Sequence, residues 1–109
     1  MKNINEINKE NYRTFETMTE LVNAMRRNQK VWCWAARGWT NIENAFLKFR
    51  VSGHLFKGYV YLGVNGKDLF DIFLVSSTGL IIEETNDIYI DELIDTIDRK
   101  VEKISTYKW

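Results

Sequence analysis

The centre of the chain contains three successive stretches with a two-residue pattern, which are separated by turn signals; the first two alternate apolar with other side chains. Alternation with a period of two places the apolar side chains on one face of a β-strand. The three stretches are residues 44–51, 55–64 and 68–76. Asn65-Gly66 is the strongest hairpin signal, because both residues tolerate the positive φ angles of a type I′ turn. Turns at 52–54 and 77–79 and a short return strand at 80–84 extend the pattern to an antiparallel meander.

Each stretch has at least one apolar face, and the first and third stretches differ in the character of the other face. Residues 44–51 carry Phe46, Lys48 and Arg50 there, which makes a basic and aromatic surface. Residues 68–76 are apolar on both faces. A strand of this second kind lies near the centre of a sheet and is covered on both sides, or gives its outer face to a partner.

Helical periodicity predicts one helix before the strands in the chain and one after them. Thr17-Met18-Thr19-Glu20 has the spacing of a capping box, and the helix that follows is expected to end near Asn28. Its apolar side consists of Met18, Leu21, Val22 and Met25. A second helix is predicted over residues 90–104, where isoleucine and valine recur at helical spacing. Its apolar stripe consists of Ile90, Ile94, Ile97, Val101 and Ile104.

These elements predict a single α+β domain over residues 1–109, an antiparallel four- or five-stranded β-meander with an N-terminal and a C-terminal helix packed on one face. Residues 1–12 are predicted to be a flexible arm and residues 105–109 a loose tail. No apolar run reaches the ~18 residues of a membrane span, and the polar N-terminus lacks a secretory signal. A cytoplasmic location without membrane contact is therefore expected, and a single cysteine, which cannot form an internal disulfide, agrees with a reducing compartment.

The stretch VWCWAARGW contains three of the chain's four tryptophans and its only cysteine. In a strand at residues 30–35, Trp32 and Trp34 share a face; in a helical turn at residues 32–37, Trp32 and Trp39 share a side. Valine and tryptophan favour the strand. In either conformation at least one indole must be covered.

The charges are segregated along the chain although the net charge is zero. Residues 21–67 contain eight lysines and arginines and one acid, whereas residues 68–98 contain nine acids and no base. Such segregation has three interpretations. The two halves pair within the fold, molecules associate head to tail, or the basic part meets an anionic partner.

Candidates for catalysis and metal binding lack a supporting pattern. Cys33 and His54 are the only thiol and imidazole, they lie on different predicted elements, and Cys33 is expected to be a buried, inert side chain. Asp68 and Asp71 resemble a carboxylate pair but have no metal-binding histidine near them. The acidic stripe of the second helix is expected to be solvated and consists of Asp91, Asp95, Asp98 and Glu102. The sequence therefore predicts no enzyme, no cofactor and no metal site.

Aromatic and basic residues around the first strands predict a binding surface. It comprises Trp32, Trp34, Arg37, Trp39, Lys48, Arg50, Lys57, Tyr59 and Tyr61. Large rings beside arginine favour a protein interface, in its simplest form self-association. The alternative is single-stranded nucleic acid, with rings stacking on bases and cations following phosphates, although the zero net charge counts against it. A third interpretation is that most of these rings fill the core under the helices.

Four segments of the chain carry a resemblance to a known family: LKFRV, KGYVY, NGKDLFDIFL and DIYIDELIDTID. They cover about half of the chain, which in these segments resembles a family of small proteins of no assigned activity from gut anaerobic bacteria and their phages or mobile elements. The resemblance implies an accessory role in a mobile element, such as counter-defence or regulation by binding a host protein. It transfers no catalytic residue, cofactor or substrate.

Overall fold

Five antiparallel strands form one sheet in which the spatial order of the strands follows their order in the chain. The computed structural model describes residues 2–13, 18–28, 31 and 33–101. The strands are β1 (Arg37–Ile42), β2 (Phe46–Ser52), β3 (Lys57–Val64), β4 (Phe70–Val75) and β5 (Ile81–Ile88). The α-helices are α1 (Met18–Arg26) and α2 (Leu93–Val101), and 3₁₀ turns lie at Ile4–Glu6, Lys9–Asn11 and Ile90–Glu92. The predicted α+β class and antiparallel sheet are confirmed, and the sheet has five strands.

One face of the sheet, called the first face below, packs against α2. Alternate residues of β2 and β3, including Leu47, Phe49 and Leu62, form a buried apolar cluster with this helix. The helix contributes Leu93, Ile97 and Val101, each at most 1% exposed. Burying one such side chain stabilises the fold by about 1.5–3 kcal/mol. The predicted stripe begins at Ile90, but this residue is 55% exposed because it lies in the 3₁₀ turn before the helix.

The described residues in the first part of the tryptophan-rich stretch, Val31 and 33–35, do not form a strand. Val31 and Cys33 are helical, and β1 begins only at Arg37. The backbone N–H of Trp34 donates to the carbonyl of Val31 at 3.1 Å, and Ala35 has a φ of +54°, so the chain turns here. The prediction of a strand at residues 30–35 is therefore wrong, and the helical-turn alternative is closer to the structure.

Trp34 fills the core of the first face and is fully buried. Its indole N–H donates to a carboxylate oxygen of Asp98 at 2.9 Å, and its carbonyl accepts from the N–H of Ser52 at 2.7 Å. A buried indole N–H needs an acceptor, and α2 supplies one. The prediction that Asp98 belongs to a solvated acidic stripe is therefore wrong, whereas Asp91 and Asp95 are exposed. Glu102 and Ile104 lie outside the described residues.

Residues 2–13 cover one end of the second face of the sheet. Ile4 is buried, and Tyr12 packs with its ring centroid 5.1 Å from that of Phe46. The backbone of Arg13 exchanges two hydrogen bonds with Val64, and Ile4 donates to Gly79. The prediction of a flexible arm over residues 1–12 is thus wrong for residues 2–12. Scattered apolar side chains here cover β4, whose six residues are all buried as its two-sided apolar pattern predicts.

The hairpin at Asn65-Gly66 forms where the sequence predicts it, but its turn is of a different type. Asn65-Gly66 joins β3 to β4, but the residue with positive φ in this loop is Asp68, and the Asn65 side chain accepts from the backbone of Lys67 and Leu69. The positive φ pair of a type I′ turn occurs at Glu43 and Asn44, between β1 and β2. The predicted hairpin is confirmed, and its predicted turn type is wrong.

Among the described residues, no helix combines the length and the apolar character needed to cross a bilayer.

Candidate functional site

The other end of the second face carries a group of cations that the N-terminal segment leaves open. The group, called the cationic face below, consists of Arg37 on β1, Lys48 and Arg50 on β2, and Lys57 on β3. The register aligns Arg37 with Arg50 and Arg50 with Tyr59, so these side chains form a row across three strands. Alternation along each strand places the others on the same face. Arg37, Arg50 and Lys57 are exposed, and Lys48 and Tyr59 are half-buried.

No described carboxylate compensates the cationic face. Within residues 2–13, 18–28, 31 and 33–101, none of its four cations forms a salt bridge with a carboxylate. Lys48 lies over the ring of Tyr59 instead, with its Nζ 4.4 Å from the ring centroid, and the Arg50 guanidinium carbon lies 6.0 Å from the same centroid. Arg37 donates to the backbone carbonyl of Ala35 at 3.1 Å. The positive charge of these guanidinium and ammonium groups is therefore not compensated by a carboxylate of the described chain.

A groove lies in the cationic face where β1, β2 and β3 meet the loop after β4. Its volume is about 250 Å³. Its lining comprises Arg37, Arg50, Val51, Ser52, Lys57, Gly58, Tyr59 and Ser77. Three cations and three hydroxyl groups therefore converge on one concave surface, and all of these groups can donate hydrogen bonds to an anion.

The aromatic part of the predicted binding surface is largely absent from this face. Trp34 is in the core, so its assignment to a binding surface is wrong. Trp39 stacks on Phe49 with ring centroids 4.4 Å apart and packs against the first-face cluster. Tyr61 is only 9% exposed. Trp32 lies outside the described residues. The residues that the structure brings together are the cations and Tyr59.

The side chains considered for catalysis differ in their surroundings. Cys33 is exposed, so the prediction that it is buried is wrong, and His54 is exposed in the turn before β3. Asp68 pairs with Arg13, whereas Asp71 is buried beneath the N-terminal segment. Among the described residues no group of three or more histidine, cysteine or acidic side chains is arranged to hold a metal ion.

A hydrogen-bond network around Asp71 fastens the N-terminal segment to the sheet. The carboxylate accepts from the Tyr12 hydroxyl at 2.7 Å, from the Asn65 amide at 2.9 Å and from the backbone N–H of Asp87 at 3.0 Å. Burial, together with the hydrogen bond to Asp71 and its negative charge, raises the pKa of Tyr12 well above its usual range. The hydrogen bond from Lys67 lowers the pKa of Asp87. The only sequence signal for this network is an aspartate in an otherwise apolar strand.

The segregation of charge along the chain is also a segregation in space. Because strand order follows chain order and neighbouring strands lie ~4.8 Å apart, β1 and β5 are separated by about 19 Å. Some basic residues do meet the acidic half, since Lys67 pairs with Asp87 at 3.1 Å and Lys100 with Glu83 at 2.5 Å. The four cations of the cationic face form no salt bridge with any carboxylate in the part of the chain that the structure describes. Pairing within the fold therefore explains only part of the charge pattern.

No family model, curated protein or solved structure gives a significant match to the chain.

Proposed function

We propose that this protein is a non-enzymatic binding domain that holds a protein partner through its cationic face. The observation that carries the proposal is the set of four cations on one open part of a sheet face, without a carboxylate partner in the described chain. Such a face creates a positive potential that attracts anionic groups and orients their approach. The partner we infer is an acidic protein segment, and the acidic part of a second copy is one form of it.

The environment of Tyr59 favours protein over nucleic acid. Lys48 occupies one face of its ring at 4.4 Å, so this ring offers less surface for a base to stack on. Binding of single-stranded nucleic acid relies on several exposed rings along a basic track. Arginine and lysine beside a groove suit carboxylates, which arginine binds in a bidentate manner.

Single-stranded nucleic acid remains the second candidate because Lys48 and Arg50 flank the same tyrosine. An aromatic ring between cations is the arrangement that a short stretch of backbone phosphate and one base would contact.

The setting we propose for this domain follows from the family resemblance of its segments. It is a cytoplasmic accessory protein of a phage or mobile element that acts by binding a host protein. We also infer that α1 and α2 cover the same face of the sheet, since Met25 of α1 belongs to the cluster that contains Leu93 and Ile97. That arrangement leaves the cationic face open to a partner.

Binding of an oligo-glutamate peptide, compared with an oligothymidine of equal charge, tests the proposal. We expect the peptide to bind more tightly than the oligothymidine, and its binding to weaken as salt rises. Its binding to the Lys48→Gln, Arg50→Gln double variant should be several-fold weaker. Arg99→Gln is the matched control, because Arg99 is an exposed arginine on α2, on the other side of the sheet.

If oligothymidine binds more tightly than the peptide and the double variant loses this binding, nucleic acid is the favoured ligand. Sedimentation of the unliganded protein tests whether it associates with a second copy. A dimer that the double substitution dissociates identifies a second copy as the partner. A monomer that binds neither probe would refute the proposal.

A further inference from the structure

Two arginines stand directly opposite each other in the cationic face. Arg37 of β1 and Arg50 of β2 are partners in the antiparallel register. Side chains so paired have Cβ atoms about 4.5–5.5 Å apart, and like charges in this position destabilise a sheet. No carboxylate of the described residues forms a salt bridge with either arginine. The fold thus retains a repulsive pair that an anion between the two groups would relieve.

Both guanidinium groups are partly held in place. Arg37 donates through one Nη to the carbonyl of Ala35, which has a left-handed backbone conformation at the end of the turn before β1. Arg50 lies near the ring of Tyr59. A guanidinium has five N–H donors in a planar fork, so each arginine keeps several donors for a ligand.

The groove beside this pair has the size and polarity for a charged group rather than a whole cofactor. Its volume of about 250 Å³ is below the ~300–1,000 Å³ of pockets that enclose drug-sized ligands. Lys57 adds a third cation, and Ser52 and Ser77 add hydroxyl donors. Several donors around one compact anion are typical of a site for a tetrahedral oxyanion.

We propose that Arg37 and Arg50 bind the phosphoryl group of a phosphorylated side chain in the protein partner. This inference rests on the proposed function and specifies its ligand. A phosphate monoester carries about −1.5 to −2 charges at neutral pH, which matches two opposed arginines. A backbone phosphodiester or a carboxylate carries one negative charge and leaves half of the pair uncompensated. The charge balance therefore favours a phosphorylated protein segment over a nucleic acid strand.

Titration of the isotope-labelled protein with small anions tests this site directly. The probes are phenyl phosphate as the monoester and dimethyl phosphate as the diester, followed by backbone amide shifts. We expect the largest shifts at Arg37, Arg50 and Ser52, and at least about tenfold tighter binding of the monoester. Its binding should weaken as pH falls below about 6, where the monoester gains a proton.

Variants and peptides separate the possible ligand sources. Arg37→Gln and Arg50→Gln should each lose monoester binding, and Arg99→Gln should retain it. A peptide with one phosphoserine should bind more tightly than its unphosphorylated form and than inorganic phosphate. Equal binding of inorganic phosphate and phosphopeptide would overturn the assignment to a protein ligand. Thermal unfolding of each variant checks that its fold is kept.

The remaining outcomes distinguish this inference from the proposed function. If oligo-glutamate binds the cationic face but phenyl phosphate binds no better than dimethyl phosphate, the phosphoryl site is refuted and the binding domain stands. Equal binding of diester and monoester, together with oligothymidine binding, would favour nucleic acid. If none of the probes binds, both proposals fail.

Discussion

At the covered end of the second face, the buried carboxylate of Asp71 receives three hydrogen bonds, whereas at the open end four cations have no carboxylate partner among the described residues. The covered end is also where Phe46, Tyr61 and Phe73 pack together. Desolvating a charge without partners is costly, so a buried charge must be satisfied. Exposed charges face no such requirement, and the clustering of these four is what the proposed binding function would explain.

The difference implies that substitutions at the covered end act on stability, while substitutions at the open end act on binding. The largest effect is expected for Phe73→Ala. Phe73 is fully buried between the N-terminal segment and the sheet, with its ring 5.8 Å from that of Tyr12. Its truncation should lower the free energy of unfolding by about 3–5 kcal/mol, measured by urea denaturation. Tyr59→Ala, the control at the open end, should lower the free energy of unfolding far less. Equal losses would show that the two ends do not differ in their contribution to stability.

Gly63→Ala is expected to have the next largest effect. A Cβ at this position in β3 would lie 2.8 Å from Cδ1 of Tyr12 and 3.0 Å from Cδ1 of Phe46. The added methyl group should therefore displace the Tyr12 ring and destabilise the fold by about 1–3 kcal/mol. Combining it with Tyr12→Ala should cost less than the sum of the two single effects, because the clash with Tyr12 is then removed. Strict additivity would show that the segment does not pack here.

β2, β3 and β4 were predictable because their signal is local: period-two alternation depends only on neighbours along the chain. β1 was not predicted. The contacts that decide which surface stays open join residues far apart. Trp34 meets Asp98 across 64 positions, and Tyr12 meets Asp71 across 59. Strand propensity at Trp34 was overridden by a distant acceptor, and sparse apolar residues near the N-terminus gave no periodic signal. Lys48, Arg50 and Lys57 were predictable as neighbours because the alternation assigns them to one face. Arg37 lay outside the predicted strands, so its place beside Arg50 was not predictable in this way.

Tyr12→Phe is expected to have a smaller effect that depends on pH. The substitution removes the hydroxyl that donates to Asp71 and should cost about 1 kcal/mol at neutral pH. The folded-state pKa of Tyr12 is raised above the unfolded value of about 10, so its contribution is fully present below pH 10 and is lost as pH rises through the folded pKa. Unfolding curves between neutral pH and pH 11 should therefore converge for wild type and variant. A constant difference over that range would contradict the pKa shift.

Arg50→Gln is expected to have the smallest effect on stability, with the opposite sign. Removing one of two opposed cations should leave the free energy of unfolding unchanged or raise it by about 0.5 kcal/mol at low salt, because repulsion with Arg37 is relieved. The gain should vanish at high salt, where exposed charges are screened. Lys67→Gln is the matched comparison, since its ammonium pairs with Asp87, and it should be slightly destabilising under the same conditions. If Arg50→Gln destabilises the protein as Lys67→Gln does, Arg50 has a structural partner. The charges at the open end would then be compensated within the fold, as they are at the covered end.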